Sequence, residues 1–243
     1  MSKRTNTEHK LKHVKVYDQL YELIQNGTFP PGSRLPSETA LSAQLDVSRM
    51  TLRKALALLQ EDGRTKNIQG VGHFVCSQDE AAPVAKVCSE AARHPVYAYC
   101  TEHLDSVETA FRIEPPTRSI SDALKQYTPA VVIADRWYKH EGAPLAYSLS
   151  FLPIGVIGDH KIDLNDPQQL SDYLEHGCYA EKNQCKRICS YSTAGNFTAL
   201  TYTLSEQNSF LLVQEAIFDE NSQVLVSSKH YIPSELFKIE ISL

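Results

Sequence analysis

The sequence predicts an α+β protein with an N-terminal winged helix-turn-helix domain and a C-terminal antiparallel sheet packed with helices. The length of 243 residues suits two domains. Residues 13–63 carry apolar side chains at helical spacing. From residue 96 onward, short runs rich in Val, Ile and Tyr alternate with turn residues, which predicts strands. We therefore assign residues 1–75 to the first domain, 76–84 to a linker and 85–243 to the second domain.

Three helices and a wing are predicted in the first domain. The first helix spans residues 13–26. Ser37 and Ser48 stand where the second and third helices begin, because a serine hydroxyl accepts a hydrogen bond from a free amide of the first helical turn. The apolar face of the third helix consists of Leu52, Ala55, Leu56 and Leu59. Residues 64–75 then predict two short strands joined by a glycine turn.

The third helix begins with side chains that are exposed once its apolar face is buried. They are Arg49, Met50, Thr51 and Arg53. In helix-turn-helix proteins this end of the helix meets base edges in the major groove of DNA. An arginine there holds O6 and N7 of guanine with two hydrogen bonds. The sequence therefore predicts sequence-specific binding to double-stranded DNA.

Residues 13–75 resemble the GntR family of bacterial transcription regulators. The motifs that carry the resemblance are Gly32-x-Arg34-Leu35-Pro36-Ser37-Glu38, Val47-Ser48-Arg49-x-Thr51-Leu52-Arg53-x-Ala55-Leu56, Gly63 and Gly70-x-Gly72-x-Phe74-Val75. The resemblance implies operator contacts from these helices, and minor-groove contacts from Gln69 and Gly70 of the wing. Together with the cap and helix-start residues, the candidate DNA-binding residues are Arg34, Ser37, Glu38, Ser48, Arg49, Met50, Thr51, Arg53, Gln69 and Gly70. The sequence departs from the family pattern at Arg64, Val71 and His73.

The charge of the chain is divided unevenly between the two domains. Residues 1–75 hold 11 of the 24 Lys and Arg and 7 of the 29 Asp and Glu, a net charge of +4, which leaves −9 for the remainder. A basic N-terminal domain on an acidic body directs DNA to one end of the molecule. The chain has no run of about 20 apolar residues, which a membrane span requires. Its first ten residues are polar and lack the apolar region of a signal peptide, so we expect a cytoplasmic protein.

Six cysteines are present, and in a cytoplasmic protein they are expected to be reduced. Cys178, Cys185 and Cys189 lie close to His176 in the sequence, so zinc binding or oxidant sensing is an alternative function for the second domain. The spacing matches no common zinc module. Buried cysteines on strands also behave as small apolar residues. We therefore predict no metal and no cofactor.

The second domain is predicted to alternate between strands and a few helices. The predicted strands are 96–101, 110–113, 130–138, 145–152, 187–194, 210–218, 223–231 and 239–243. The predicted helices are 120–126, 167–176 and a short helix that follows the linker within 76–93.

This order of elements resembles the effector-binding (UTRA) domain of the HutC subfamily of GntR regulators. The motif Arg136-x-x-x-His140-Glu141-Gly142-Ala143-Pro144 and the later Phe151-Leu152-Pro153 carry the resemblance. It implies an α+β fold related to chorismate lyase, with a ligand held between the sheet and the helices. Members sense small metabolites such as histidine-pathway intermediates, phosphosugars and phosphonates.

Arg136 falls where the family places the arginine that binds the ligand's anionic group, and a guanidinium suits a carboxylate or a phosphate. Tyr138 replaces a second arginine that phosphosugar-sensing members carry, and Ser148 replaces a glutamate. The candidate ligand residues are Arg136, Tyr138, Ser148, Ser150 and Tyr231. Pairing of Arg136 with a surface carboxylate, and ordinary strand packing of the others, are the structural alternatives.

The sequence thus indicates a cytoplasmic, ligand-responsive transcription regulator, a repressor released from a palindromic operator by a small anionic metabolite. Two identical recognition helices require half-sites about one helical turn apart, which predicts a homodimer. No Ser-His-Asp elbow and no Gly-rich phosphate loop after a strand is found, so we predict no enzyme activity. Two alternatives remain open. One is a thiol- or metal-responsive regulator that uses Cys178, Cys185 and Cys189, and the other is a regulator whose acidic body binds another protein.

Overall fold

The computed structural model describes residues 12–77 and 93–239. The chain forms two compact units, Met1–Val84 and Ala85–Leu243. None of the described helices is long and apolar enough to cross a membrane.

The first unit has three helices followed by a two-stranded sheet. The elements are α1 Lys12–Gln25, α2 Glu38–Gln44, α3 Arg49–Glu61, β1 Thr65–Ile68 and β2 Gly72–Val75. The order and nature of the predicted elements are confirmed. The core forms where α1 packs on α3, and fully buried leucines fill it: Leu20, Leu41, Leu52, Leu56 and Leu59.

The wing is an antiparallel pair in which Thr65 lies opposite Val75 and Ile68 opposite Gly72. The loop before α2 holds this pair in place, because Arg34 bridges to Phe74 and the Leu35 amide donates to the His73 carbonyl over 2.8 Å. The wing is thereby attached to the start of the helix-turn-helix.

The second unit is a six-stranded antiparallel sheet with strand order β3-β4-β5-β8-β7-β6. The strands are β3 Ser106–Glu114, β4 Val131–His140, β5 Ala143–Pro153, β6 Gln184–Ser192, β7 Phe210–Phe218 and β8 Val224–Pro233. The helices are α4 Pro95–Tyr99, α5 Arg118–Leu124, α6 Ile154–Asp159, α7 Pro167–Glu175 and α8 Gly195–Thr198. Two 3₁₀ turns, Gly177–Tyr179 and Ser234–Leu236, complete the unit.

Alternation along the strands gives the sheet two different faces. One face carries Val132, Ala134 and Leu152 and packs against Leu170 and Leu174 of α7. We call it the α7 face. The opposite face carries residues that pack against Leu124 of α5, namely Val131, Ile133 and Val224.

The predicted strand at 96–101 is wrong, because α4 occupies most of it. The His94 side chain caps this helix by accepting from the Val96 amide, and Pro95 follows at its first position, where proline is favoured. In five residues, an alternation of apolar side chains does not separate a strand from one helical turn. Helices α6 and α8 were not predicted.

Three predicted segments fall mainly outside the described residues. They are the linker at 76–84, the short helix within 76–93 and the final strand at 239–243.

Candidate functional site

The predicted recognition helix is capped as expected. The Ser48 hydroxyl accepts from the Thr51 amide over 3.1 Å and lies 2.8 Å from the Thr51 hydroxyl. Ser37 caps α2 in the same way, accepting from the Ala40 amide over 3.2 Å. Both predicted caps are therefore confirmed, and Ser48 also orients the Thr51 side chain.

The N-terminal end of α3 presents long side chains to solvent. Met50 is 61% exposed, and the side chain of Arg53 is 59% exposed. Arg49 is exposed as well. Two cations flanking an apolar, flexible side chain can contact phosphates, guanine edges and thymine methyl groups.

Glu38 connects the recognition helix with the wing. Its Oε2 accepts from Nε of Arg53 over 2.7 Å, and its Oε1 lies 3.8 Å from Nε2 of His73. Burial lowers the pKa of His73, and Glu38 opposes that shift. The pairing of Glu38 with Arg53 was not predicted, because the two residues lie on different helices and only the fold brings them together.

Arg34 lies against the wing turn. A Cβ atom added to Gly72 would lie 3.3 Å from Nε of Arg34, and Gly72 has a φ of +130° that suits glycine alone. Gln69 and Gly70 are exposed at the tip of the wing. The structure thus places Arg34 beside β2 next to the wing turn, and Gln69 and Gly70 within that turn.

A second polar site lies on the α7 face of the sheet in the other unit. We call it the polar cluster. Its members are His94, Arg136, Tyr138, Ser148, Ser150, Glu175, Tyr179, Arg187, Glu215, Ser228 and His230. The pairing register of neighbouring strands brings these side chains together, since Arg136 lies opposite Ser148, and Ser148 lies opposite His230.

Arg136 is at the centre of the polar cluster and is only 1% exposed. Its guanidinium pairs with Oε1 of Glu175 and donates to the Ser150 hydroxyl over 2.9 Å. Burial acts to lower the pKa of Arg136, but nearby Tyr138 and Glu175 outweigh it and raise that pKa overall. Arg136 therefore stays charged, and its partner is a buried carboxylate rather than a surface carboxylate.

Tyr138 and His94 extend this pair. The Tyr138 hydroxyl donates to Oε1 of Glu175 over 2.9 Å, and burial raises its pKa well above the usual value. Nδ1 of His94 accepts from the Val96 amide, which leaves the ring proton on Nε2, 3.0 Å from the Tyr138 oxygen. Burial is the main cause that lowers the pKa of His94 well below its usual value, and the nearby His230 and Arg136 further disfavour a second positive charge, so the ring is neutral.

A second ion pair lies beside the first. Glu215 accepts from Nε of Arg187 over 2.6 Å, from the Tyr179 hydroxyl over 2.6 Å and from Nε2 of His230 over 3.3 Å. Burial would raise the pKa of Glu215, but the hydrogen bond from His230, the charge of Arg187 and the hydrogen bond from Tyr179 lower it overall. Burial lowers the pKa of His230. The positive charges of the two arginines therefore balance the negative charges of the two glutamates, because both histidines are neutral.

Four of the five predicted ligand residues meet in the polar cluster: Arg136, Tyr138, Ser148 and Ser150. Tyr231 does not, since successive residues of a strand face opposite sides and its neighbour His230 faces the cluster. The Tyr231 ring is stacked 6.0 Å from the Tyr147 ring and lies 6.3 Å from the Phe210 ring on the opposite face.

Seven residues of the polar cluster were missed: His94, Glu175, Tyr179, Arg187, Glu215, Ser228 and His230. Glu215 had a usable signal, because together with Gln214 it interrupts the otherwise apolar strand β7. His230 had a weaker one, because it follows the polar residues 227–229 of β8. Glu175 had none, because it is the last residue of an ordinary amphipathic helix.

The cysteine alternative gains no support from the geometry. Burial raises the pKa of Cys178, of Cys189 and of Cys185, the last to about 11, so these thiols stay protonated and weakly reactive at neutral pH. In residues 12–77 and 93–239, no three His, Cys, Asp or Glu side chains are grouped to hold a metal ion.

Comparison with known proteins identifies the first unit. Residues 12–75 match the family described as bacterial regulatory proteins, gntR family. These residues form a GntR-family helix-turn-helix domain. The resemblance stated from the motifs is thereby confirmed for this part of the chain.

The curated relatives are similar to this chain through the GntR domain. The histidine utilization repressor of Pseudomonas aeruginosa is 44% identical over 63 residues, which cover 26% of this chain and 25% of that protein. The probable fructoselysine utilization operon transcriptional repressor of Escherichia coli K12 is 38% identical over 78 residues, 32% of each chain. The chain thus spans about a quarter to a third of the length of these relatives.

Among solved structures, the possible transcriptional regulator YydK from Bacillus subtilis is similar over most of the length. The match covers 96% of this chain and 99% of that chain, with a TM-score of 0.45 and 17% sequence identity.

Proposed function

We propose that the protein is a metabolite-responsive transcriptional repressor that binds operator DNA through its GntR domain. The observation that carries the proposal is the recognition helix of this domain. It is capped by Ser48 and presents Arg49, Met50 and Arg53 to solvent. The relatives support the assignment, since one is named a repressor of histidine utilization and the other a probable transcriptional repressor of a fructoselysine utilization operon.

DNA recognition follows from the exposed side chains. Arg49 and Arg53 bind guanine edges or phosphates, and Met50 offers an apolar contact to thymine methyl groups. Gln69 and Gly70, exposed at the wing tip, reach the neighbouring minor groove. A homodimer places two such helices on a palindromic operator.

The polar cluster is the proposed site for a small anionic effector, which Arg136 binds in part. Because Arg136 is 1% exposed, an effector reaches it only when a covering group moves. His94 is one such group and lies 3.3 Å from the guanidinium. It follows residues 76–93, which lead from the GntR domain in the sequence, so displacement of His94 would alter the linker and weaken operator binding.

Cytoplasmic location and absence of enzyme activity are part of the same proposal. A repressor acts where the chromosome is. The polar cluster also forms an internally paired network in which both carboxylates and both arginines are already bound to side chains, unlike an acid or a base poised beside a substrate.

Operator binding tests the DNA half of the proposal. A target sequence selected from random double-stranded DNA is titrated with wild-type protein and followed by fluorescence anisotropy. Arg49→Ala is expected to lower affinity about 5- to 150-fold, equivalent to about 1–3 kcal/mol. Arg118→Ala, an exposed arginine at the start of α5, is the matched control and should bind like the wild type. Equal affinities of all three proteins would reject the assigned interface.

A thermal-shift screen tests the effector half. Phosphosugars, phosphonates, amino acids and their breakdown products are compared, because a ligand of the native state raises the melting temperature. A hit should also release the operator. Both responses should disappear in the double variant Arg136→Met/Glu175→Gln, which removes both charges together. A hit that persists there would place the effector site elsewhere.

A further inference from the structure

The Arg136–Glu175 pair is a buried ion pair with unused hydrogen-bonding atoms on both partners. Oε1 of Glu175 accepts from both Arg136 and Tyr138, whereas Oε2 accepts no hydrogen bond of normal geometry from the described residues. Tyr97 lies near this carboxylate, and burial, followed by the charge of Glu175, raises the pKa of Tyr97, so its hydroxyl stays protonated and brings no positive charge. Nε of Arg136 likewise has no hydrogen-bond partner among the described residues. Glu175 is 7% exposed, so this oxygen is also shielded from water. A buried polar atom without a partner loses its hydrogen bonds to water and gains none in return, so such atoms call for an explanation.

The neighbouring Arg187–Glu215 pair is different. Both oxygens of Glu215 are used, by Arg187 on one side and by Tyr179 and His230 on the other. Arg187, Glu215 and His230 also stand on three adjacent strands, β6, β7 and β8. Both oxygens of Glu215 therefore have hydrogen-bond partners, and the adjacent strands hold Arg187, Glu215 and His230 in position. Glu175 instead comes from the end of α7, next to the 3₁₀ turn, and is the member that a change at the helix end would displace.

An anion alone is a poor ligand for such a site. An anion that binds through the unpartnered Nε of Arg136 adds a second negative charge beside Glu175. An anion that replaces Glu175 on the guanidinium leaves the Glu175 carboxylate buried without its cation. Breaking a buried ion pair in this way is strongly unfavourable, because it leaves an uncompensated buried charge. Nothing else in the polar cluster offsets that charge, because Arg187 is engaged by Glu215, and His94 and His230 are neutral.

We propose that the effector is a small zwitterion, whose carboxylate or phosphate binds Arg136 while its protonated amine binds Glu175. The inference rests on the proposed effector site and narrows its ligand class. Such a ligand exchanges one ion pair for two, because its amine brings a positive charge to Glu175. A ligand with one carboxylate and one amine also leaves the net charge of the polar cluster unchanged. It also supplies a donor to Oε2 of Glu175 and an acceptor to Nε of Arg136, the two atoms without partners.

Uncharged groups around the pair suit a polar ligand body. The hydroxyls of Ser150 and Ser228 lie 2.7 Å apart and can each turn to donate or accept. Tyr138 is held protonated by burial, which raises its pKa, and offers a neutral donor. None of these groups can replace the charge of an amine facing Glu175.

Matched compounds that differ only in the amine test the inference on the wild-type full chain. Glucosamine 6-phosphate is compared with glucose 6-phosphate, glutamate with glutarate, and 6-aminohexanoate with hexanoate, by isothermal titration calorimetry. In at least one pair the amine-bearing compound should bind about tenfold more tightly or better, a difference of about 1.4 kcal/mol. Equal or weaker binding of the amine-bearing compound in every pair, or no binding in any pair, would overturn the inference.

A variant sharpens the test. Glu175→Gln keeps the side-chain shape and removes the charge, so the preference should reverse, with weaker binding of the amine-bearing compound and tighter binding of its amine-free partner. Glu181→Gln, an exposed acid in the turn before β6, is the control and should keep the wild-type preference. If Glu175→Gln does not fold, the wild-type pairs alone decide the question.

Operator binding is measured on the same protein samples. Intact operator binding without amine preference would reject the zwitterion and leave the proposed repressor standing. If the wild-type protein does not bind operator DNA at all, the proposed function itself is rejected.

Discussion

At the scale of single residues, the polar cluster contains two buried ion pairs, and we expect the two partners within each pair to be energetically coupled. Arg136→Met leaves the Glu175 carboxylate buried and uncompensated, so we expect a loss of about 3–5 kcal/mol in the free energy of unfolding. Adding Glu175→Gln should recover most of it. Urea unfolding followed by Trp137 fluorescence measures both, since Trp137 is buried in the same unit. If the double variant were no more stable than Arg136→Met, the two side chains would not be energetically coupled.

His94 makes a pH-dependent contribution to stability. Its pKa in the folded state lies well below 6.5, so the unfolded chain binds the extra proton as the pH falls below about 6.5. Stability from this group is therefore present above that pH and lost toward acid, by up to about 1.4 kcal/mol per pH unit. His94→Asn keeps an acceptor for the helix cap and should flatten the slope. His103→Asn, at an exposed position, is the control and should leave the slope as in the wild type. An unchanged slope in His94→Asn would contradict the assignment.

At the scale of elements, the cap of α3 carries both folding and recognition. Ser48→Ala removes the acceptor for the Thr51 amide and should cost about 0.5–2 kcal/mol of stability. Ser48→Asp keeps a capping oxygen but repels phosphate, so it should stay close to wild-type stability while losing operator affinity. Chemical unfolding and fluorescence anisotropy separate the two effects. Should Ser48→Asp bind the operator as well as the wild type, Ser48 acts only as a cap.

The wing depends on glycine at one position. Gly72→Ala combines a φ of +130° with a Cβ atom 3.3 Å from Arg34 Nε, so the wing or the arginine must move. We expect a loss of about 1–2 kcal/mol in stability and a lower affinity for operator DNA. Gly155→Ala is the matched control, because nothing lies within 4 Å of the added Cβ and no positive φ is involved. Wild-type operator affinity in Gly72→Ala would show that the geometry beside the wing turn does not matter for binding.

The success of sequence-based prediction also varied by element. Ser37, Ser48 and the leucines of α3 each act within one helix, so local spacing was sufficient to locate the helices and caps. The long strands β4, β5, β7 and β8 were likewise visible from their alternating or continuous apolar runs. The segment at 95–99 was misassigned because five residues show too little periodicity to distinguish a strand from a helical turn. The cap at His94 and the proline at the first helical position, which favour a helix, were not considered.

The candidate site was predictable only where a motif stood in the sequence. Arg136 and its strand neighbours followed from the resemblance, and register then brought Ser148 and Ser150 beside it. Glu175 and His94 are 39 and 42 positions from Arg136 and reach the polar cluster through α7 and the cap of α4, whereas Arg187 comes from the far edge of the sheet. Such partners depend on tertiary packing, which local patterns do not encode.

At the scale of the whole molecule, the uneven charge predicts a strong dependence of DNA binding on salt. The basic first domain, with its net +4, releases counterions from the phosphates, whereas the acidic remainder does not. The logarithm of operator affinity should fall linearly with the logarithm of salt concentration. Arg34→Ala should reduce the slope by about 0.9 if Arg34 binds a phosphate. A weaker variant with an unchanged slope would instead assign Arg34 to holding the wing in place.

Coupling between the two units can be measured in both directions. If the effector lowers operator affinity by a given factor, the operator must lower effector affinity by the same factor, because both are one coupling free energy. We expect a factor of about 5–150, which corresponds to about 1–3 kcal/mol. Calorimetric titration of the effector with and without saturating operator gives one value, and anisotropy with and without effector gives the other. His94→Asn should reduce both factors equally if His94 transmits the change. A reduction in only one direction would show that the two experiments do not report the same equilibrium, and unchanged factors would place the connection away from His94.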